Sequence, residues 1–250
     1  MWKSCIRRSI GPVAVAALAA GCATAPEAPP VAPLQLAAFS AIKPGESIPQ
    51  DWHPWRLSRF KSPSRYRLVE DAGTTVLMGS AKASASGLIH YLDLDPRQRP
   101  LLSWRWKVTD LAPSEQSPDD SPVRIVVSFA GDFNKLSFED RLFFDQFRLF
   151  TGQRLPYAAL MYVWGSRTPR DEIVANRYTS RIKIVAVESG REKLGTWLEE
   201  TRDVEADYRR LFGEEPGKII SVGILTEADV SDRALEAYYG DIEFRKAKER

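Results

Sequence analysis

Two groups of acidic residues carry the side chains that could bind or transform a ligand. Asp119 and Asp120 lie in a proline-flanked polar connection that leads directly to Arg124. Because neighbouring strand residues point to opposite faces, one carboxylate could meet the Arg124 guanidinium while the other faces a ligand. A carboxylate beside a guanidinium stays ionised, which suits it to sugar hydroxyls or to a cation. A turn-forming Asp beside a purely structural Asp–Arg pair is the competing interpretation.

The second group consists of Glu227, Asp229 and Asp232. Carboxylate oxygens at this spacing could coordinate Ca²⁺, a hard cation that takes oxygen ligands. No glycine marks the sharp turn of an EF-hand loop, so a solvated acidic loop is the competing interpretation. Apart from Ca²⁺, the sequence indicates no cofactor.

The two groups together allow a catalytic hypothesis. Glycosidases use two carboxylates that are held roughly 5 to 10 Å apart. A pairing of Asp119 or Asp120 with Glu227 or Asp229 would supply them if the two groups converge in space.

Large aromatic side chains are the second kind of candidate, because the apolar faces of sugars stack on exposed rings. Trp104 and Trp106 recur at strand spacing, which is more typical of a core. Tyr238 and Tyr239 are adjacent, so a strand turns one of them outward as a platform. The predicted ligand-binding set consists of Asp119, Asp120, Arg124, Tyr238 and Tyr239.

Other catalytic classes have no support in the sequence. His53 and His90 are the only histidines, and their spacing is not that of a zinc site. No Gly-x-Ser-x-Gly elbow of a serine hydrolase is present.

The N-terminus has the pattern of a lipoprotein signal peptide. Basic residues at its start precede an apolar stretch that ends in Ala19-Ala20-Gly21-Cys22. The apolar stretch of about eleven residues is shorter than the roughly 20 of a spanning helix, so cleavage after residue 21 is expected. Cys22 would then carry the lipid, which anchors the chain to a membrane without spanning it. Ala23 in place of Asp favours the outer membrane, facing the periplasm, within the cell envelope.

Residues 22–37 are rich in Pro and Ala and are predicted to form an extended tether. Residues 38–250 would then form a single domain without disulfides, since Cys5 is lost with the signal. Removal of the signal leaves 32 basic and 33 acidic side chains. A nearly neutral chain with dispersed charges excludes nucleic acid as a partner.

The elements that must position these residues are mostly short strands. Alternating runs between turn residues occur at 66–70, 74–79, 81–94, 101–108, 123–129, 158–164, 181–187, 219–225 and 238–244. Helical spacing appears at 138–150 and at 204–212, where Gly213 follows as a C-terminal cap. The pattern predicts a two-sheet antiparallel β-sandwich of jelly-roll type with one or two inserted helices. A β-barrel is the second interpretation.

Several short motifs in one order resemble a bacterial family known as domain of unknown function 3047. They occur between Trp55 and Phe244, at 104–108, 118–124, 162–164, 197, 207–208, 212–213 and 238–242. The resemblance implies strands similar to those of carbohydrate-binding jelly rolls, and no established activity. Where the family has an Asp-x-Asp-Asn-Thr type segment, this chain has Thr226-Glu227-Ala228-Asp229-Val230-Ser231-Asp232.

Three hypotheses follow. The first is a non-enzymatic envelope lipoprotein that binds a ligand, in particular a glycan. The second is a carbohydrate-active enzyme that uses the paired carboxylates. The third is a structural protein that docks another envelope protein through Phe143, Phe144 and Phe147, which could form an exposed apolar patch.

Overall fold

The computed structural model describes residues 32–57, 60–111, 121–174, 176, 178–228 and 234–247. These residues form two β-sheets with two α-helices. The strands are β1 (Leu34–Ala37), β2 (Trp52–Arg56), β3 (Arg65–Asp71), β4 (Thr74–Ala81), β5 (Ala85–Leu94), β6 (Leu101–Val108), β7 (Val123–Phe129), β8 (Ala158–Gly165), β9 (Ile173–Val174), β10 (Ile182–Ser189), β11 (Leu198–Asp203), β12 (Ile219–Glu227) and β13 (Leu235–Arg245). The helices are α1 (Phe138–Thr151) and α2 (Val204–Phe212).

The strands divide into two sheets that pack face to face as a β-sandwich. The first sheet has the order β11-β6-β13-β4-β3, with β1 also paired to β13. The second sheet has the order β2-β5-β12-β7-β8-β10-β9. The predicted mostly-β sandwich with inserted helices is confirmed. One pair departs from the antiparallel prediction, because β10 runs parallel to β8 after a long crossover that contains β9.

Alternate strand residues fill the space between the sheets. Trp104 and Trp106 of β6 are at most 2% exposed, so their interpretation as core residues is confirmed. The Trp104 ring stacks on Tyr162 of β8 at a centroid distance of 5.5 Å, and Trp106 lies 6.2 Å from Trp164. These rings join the two sheets, and burial of such large apolar surfaces is the main stabilising contribution in a core of this kind.

The domain begins earlier than the sequence indicates. Leu34–Ala37, which the sequence analysis places in the tether, is the strand β1, and Leu34 pairs with Phe244 of β13. Leu36 and Phe39 are buried in the core. Pairing along β13 satisfies the backbone groups of this segment, which its Pro- and Ala-rich surroundings do not reveal. The edge strand β2 was also missed, since Pro54 interrupts its pattern and is tolerated only at a sheet edge.

Both predicted helices are present, with ends set by capping residues. The Ser137 hydroxyl accepts a hydrogen bond from the Asp140 amide at the start of α1. Gly213 ends α2 in the left-handed region with a φ of 70°, as its position in the sequence predicts.

The first turn of α1 is anchored to the segment that precedes β10. The buried Asp140 carboxylate accepts hydrogen bonds from the Thr179 hydroxyl at 2.5 Å and from the Ser180 amide at 2.9 Å. Burial alone would raise the pKa of Asp140, but these hydrogen bonds outweigh it and hold the pKa below its ordinary value. The carboxylate therefore stays charged and fixes α1 beside the second sheet.

Candidate functional site

The structure brings together the described members of the two predicted acidic groups. Arg124 lies at the start of β7 and Glu227 at the end of β12, its antiparallel neighbour. The Arg124 guanidinium is 2.5 Å from the Glu227 carboxylate, and each side chain is 14% exposed. Asp119, Asp120, Asp229 and Asp232 lie outside the described residues.

The sequence makes Glu227 a candidate Ca²⁺ ligand or catalytic carboxylate, whereas the structure pairs it with Arg124. The Glu227 carboxylate accepts a hydrogen bond from the Arg124 guanidinium of the neighbouring strand. Within the ranges that the structure describes, no group of three His, Cys, Asp or Glu residues is placed to hold a metal ion. The described part of this cluster is thus a charge-assisted link between β7 and β12.

The two adjacent tyrosines of β13 have opposite environments. Tyr239 is fully buried, and its hydroxyl donates to the Leu225 carbonyl oxygen at 2.7 Å. Tyr239 is therefore a core residue, and its assignment to a ligand-binding surface is wrong. Tyr238 points to the outer face of the first sheet, where its hydroxyl donates to Glu236 at 2.8 Å. Burial and this hydrogen bond raise the pKa of Tyr238 to about 12.

The surface around Tyr238 is occupied by contacts among its own side chains. Lys107 Nζ lies 4.4 Å from the centre of the Tyr238 ring and 2.6 Å from Asp71. The Trp197 indole donates to the other Asp71 oxygen at 2.6 Å, and Arg105 lies 4.7 Å above the Trp197 ring. These side chains pair with one another, so the surface immediately around Tyr238 is occupied by the protein's own contacts.

A groove of about 530 Å³ crosses the outer face of the second sheet. It runs over β2, β5, β12 and β7 and is bounded by the segment between α1 and β8. Four aromatic side chains line it, and Tyr91 and Phe133 are 63% and 50% exposed. The aromatic members are Trp55, Tyr91, Phe133 and Tyr157. This volume is in the range of pockets that hold small-molecule ligands.

Two of these rings approach the backbone closely where a glycine leaves room for them. A Cβ atom on Gly223 of β12 would lie 2.6 Å from Trp55 Cζ3. A Cβ atom on Gly131 would overlap the Tyr157 ring. Glycine in or beside a strand commonly marks such a close approach. The two glycines therefore let Trp55 and Tyr157 form part of the groove floor.

Polar groups complete the lining. Ser221 of β12 and Ser128 of β7 are register partners in the floor, and neither hydroxyl makes a hydrogen bond to another residue in the part of the chain that the structure describes. The Gln153 side chain donates to the Arg56 carbonyl oxygen, which joins the two sides of the groove at one end. The described residues that line the groove include two arginines, and none of them is Asp or Glu.

This groove is not evident from the sequence pattern. Trp55 lies in the missed strand β2, and Tyr91 was one residue of a long alternating run. The available signal was the glycine within β12, whose lack of a side chain in a buried strand indicates a neighbour in close approach.

We expect Gly223→Ala to displace the Trp55 ring and to lower stability by about 1–3 kcal/mol, as overpacking does. In a chain that already carries Trp55→Ala, the same alanine has free space and its cost should fall close to zero. Urea unfolding of the two single variants and the double variant measures this coupling. Equal costs of Gly223→Ala in both backgrounds would show that Trp55 does not rest on this glycine.

The three phenylalanines that were predicted to form an exposed apolar patch on α1 are not its exposed apolar residues. Phe144 is 8% exposed, and Phe143 and Phe147 are half-buried. Phe143 instead stacks on Tyr178 at a centroid distance of 6.0 Å. The predicted trio therefore faces the protein, and the docking hypothesis loses its stated basis. The exposed apolar side chains of α1 are Phe138, Leu142, Leu149 and Phe150.

A family model described as protein of unknown function (DUF3047) matches residues 50–243, which is most of the chain. The chain is a DUF3047 protein. The resemblance that the short motifs indicate is thereby confirmed, and the groove of this DUF3047 domain lies within the matched region. No curated protein matches the chain. Among the described residues, no helix is long and apolar enough to cross a membrane.

Solved structures with a similar arrangement include carbohydrate-binding modules. The family 11 module from Clostridium thermocellum, in complex with a β-1,3-1,4-mixed-linked tetrasaccharide, is 11% identical with a TM-score of 0.44, covering 87% of this chain and 98% of the module. A family 28 module specific for non-crystalline cellulose is 12% identical with a TM-score of 0.38, covering 78% and 87%. A β-1,2-glucanase from Parabacteroides distasonis is 12% identical with a TM-score of 0.41, covering 86% of this chain and 25% of the enzyme. All three TM-scores are below 0.5.

Proposed function

We propose that this DUF3047 domain binds a polysaccharide in the groove of the second sheet. The observation that carries the proposal is the aromatic lining of the groove, in which Trp55 closely approaches Gly223 and the Tyr91 side chain is 63% exposed. Sugar rings present apolar C–H faces that stack on such aromatic surfaces. The hydroxyls of Ser128 and Ser221, which have no partner among the described residues, supply donors and acceptors for sugar hydroxyls.

Binding without turnover agrees best with the lining of the groove. Hydrolysis of a glycoside by the common mechanism needs two carboxylates that flank the bond. The described groove residues include no carboxylate, and Glu227 is held by Arg124 on the same sheet. A catalytic role for Asp119, Asp120, Glu227 or Asp229 is the alternative, and released reducing ends in the assay below would support it.

The test is a titration of the purified full-length protein with a panel of soluble polysaccharides, followed by calorimetry and by retardation in polysaccharide-containing native gels. Saturable binding of at least one polysaccharide is expected, and the Trp55→Ala chain is the matched control. If no polysaccharide binds at millimolar sugar concentration, the proposal fails.

We further propose that the domain is displayed in the cell envelope, at the periplasmic face of the outer membrane, on a lipid attached to Cys22. The sequence Ala19-Ala20-Gly21-Cys22 after an apolar segment supports this location. Acyl chains contribute about 0.8 kcal/mol for each buried methylene, so two or three chains hold a protein firmly at a membrane.

Radiolabelled palmitate should be incorporated into the protein in bacterial cells, and Cys22→Ser should abolish this labelling and release the protein from the membrane fraction. Cys5→Ser is the matched control and should keep both the label and the membrane association. Equal labelling of the Cys22→Ser chain would contradict the anchor.

A further inference from the structure

A second cavity of about 310 Å³ lies beside the groove. Phe133, Arg154 and Leu155 line both, so the two spaces are adjacent across these three residues. Side chains of α1 and of the segment before it form the rest of the second cavity, which we call the arginine annex. Its lining consists of Phe133, Asn134, Leu136, Arg141, Phe144, Asp145, Arg148, Arg154 and Leu155.

The groove and the annex together carry an excess of positive charge. Arg56 and Arg154 line the groove, and Arg141 and Arg148 line the annex beyond it. The single described carboxylate in either lining is that of Asp145. Like charges gathered in one concave surface raise the local potential and attract an oppositely charged ligand.

Among the described residues, these four arginines form no ion pair that links elements of the fold. Arg56, Arg148 and Arg154 are exposed. Within the part of the chain that the structure describes, no carboxylate lies within ion-pair distance of them. Elsewhere the domain pairs its arginines closely. Arg170, Arg181 and Arg202 lie 2.9, 2.6 and 2.9 Å from Glu200, Glu214 and Asp207.

One arginine of the annex is held in place by the backbone. Arg141 donates from Nε to the Leu136 carbonyl oxygen at 3.0 Å, and its NH2 group donates to the Asn134 carbonyl oxygen at 2.7 Å. These neutral acceptors orient the guanidinium without cancelling its charge. A positioned guanidinium loses little conformational freedom when it binds an anion.

We propose that the polysaccharide bound in the groove is anionic, and that its acidic groups pair with Arg154, Arg148 and Arg56. This proposal rests on the proposed function and adds the charge class of the ligand. A guanidinium matches the planar carboxylate of a uronic acid and also accepts the oxygens of a sulfate ester. The aromatic floor binds the apolar faces of the sugar rings, and the arginines select chains that carry negative charge.

The test compares charged and neutral forms of the same polymer on the full-length protein. Polygalacturonate is titrated against its fully methyl-esterified form, and dextran sulfate is titrated against dextran, so the two members of each pair share a sugar backbone and only one of them carries acidic groups. The proposal predicts that at least one charged form binds about tenfold tighter than its neutral partner, the size of one charge-assisted contact. Raising the salt concentration should reduce this preference. The pair that shows the preference identifies carboxylate or sulfate as the recognised group.

The arginine variants test where that preference comes from. Arg148→Gln and Arg154→Gln should each weaken binding of the charged polymer by about three- to tenfold and reduce the ratio of its affinity to that of the neutral polymer. Arg65→Gln changes an exposed arginine on the other sheet and is the matched control, which should have no effect.

Two results would overturn the proposal. Equal affinity for charged and neutral forms, with binding still lost in Trp55→Ala, would refute the charge selectivity and leave the polysaccharide-binding function standing. Tighter binding of single-stranded DNA than of either charged polysaccharide, lost in Arg154→Gln, would assign the arginines to a different polyanion. Failure of every polymer to bind would refute the proposed function itself.

Discussion

Replacing Trp55 with alanine is expected to weaken polysaccharide binding by about thirtyfold, which corresponds to roughly 2 kcal/mol for an aromatic residue at the centre of an interface. The Trp55 side chain lines the groove and closely approaches Gly223, so we expect a bound sugar to stack on its ring. Removing the ring deletes this contact and also opens a depression that the ligand cannot fill. Calorimetric titration of the variant against the unmodified protein measures the loss.

Two controls separate this effect from unfolding. Trp55→Phe keeps a smaller ring over Gly223 and should retain part of the affinity. Phe138→Ala removes a ring that is 75% exposed on α1, outside the groove lining, and should not change binding. Thermal unfolding of each variant verifies that the sandwich remains folded. Unchanged affinity in a folded Trp55→Ala chain would place the binding surface elsewhere.

The second large effect concerns stability. Asp207→Ala should lower the free energy of unfolding by about 3–5 kcal/mol, the typical cost of leaving a buried charge without its partner. Asp207 of α2 is 6% exposed, and both of its oxygens accept hydrogen bonds from Arg202 of β11 at 2.9 Å. The Tyr162 hydroxyl of β8 donates to it at 3.0 Å. This one carboxylate therefore joins α2 to both sheets.

The neighbours of Asp207 explain why Asp207→Ala should lower the free energy of unfolding so much. The Arg202 side chain is 16% exposed, so water compensates only in part for the missing carboxylate. Burial and the nearby Asp207 charge raise the pKa of Tyr162 well above its ordinary value, so its hydroxyl keeps its proton and needs an acceptor. Without Asp207, the Nε and NH2 groups of Arg202 and the Tyr162 hydroxyl lose their acceptor, while the guanidinium retains its ion pair with the exposed Asp171.

Urea unfolding measures the effect, with Glu215→Ala as the matched control. Glu215 also pairs with an arginine at 2.9 Å, but it is 68% exposed, and such pairs contribute about 1 kcal/mol or less. If Asp207→Ala fails to fold, Asp207→Asn provides the measurement, because the amide keeps one acceptor oxygen. A cost of Asp207→Asn no greater than that of Glu215→Ala would show that burial of this ion pair does not matter.

Much of the fold could be predicted because the responsible interactions are local. Alternation of apolar and polar residues placed β6 and its two tryptophans correctly, since one face of a strand must be buried. Gly213 marked the end of α2, since only glycine adopts the left-handed region there without strain. The strand β1 was missed because its stability comes from pairing with β13, some 200 residues away in the chain.

The candidate site could not be predicted in the same way. Trp55, Tyr91, Ser128, Tyr157 and Ser221 come from five different parts of the chain, and only the order of strands in the second sheet places them in one groove. No local pattern encodes that order, because it depends on which edges pair after collapse.

The sequence by itself determined the mostly-β class, the two helices, the Gly213 cap of α2, and the family to which the chain belongs. It also predicted that Tyr238 and Tyr239 face opposite sides of a strand. Only the tertiary structure decided that Tyr239 is the buried one, that Glu227 pairs with Arg124, and that the aromatic groove lies on the second sheet. The physical reason is that side-chain alternation is a property of one strand, whereas burial, ion pairing and concavity depend on which strands become neighbours.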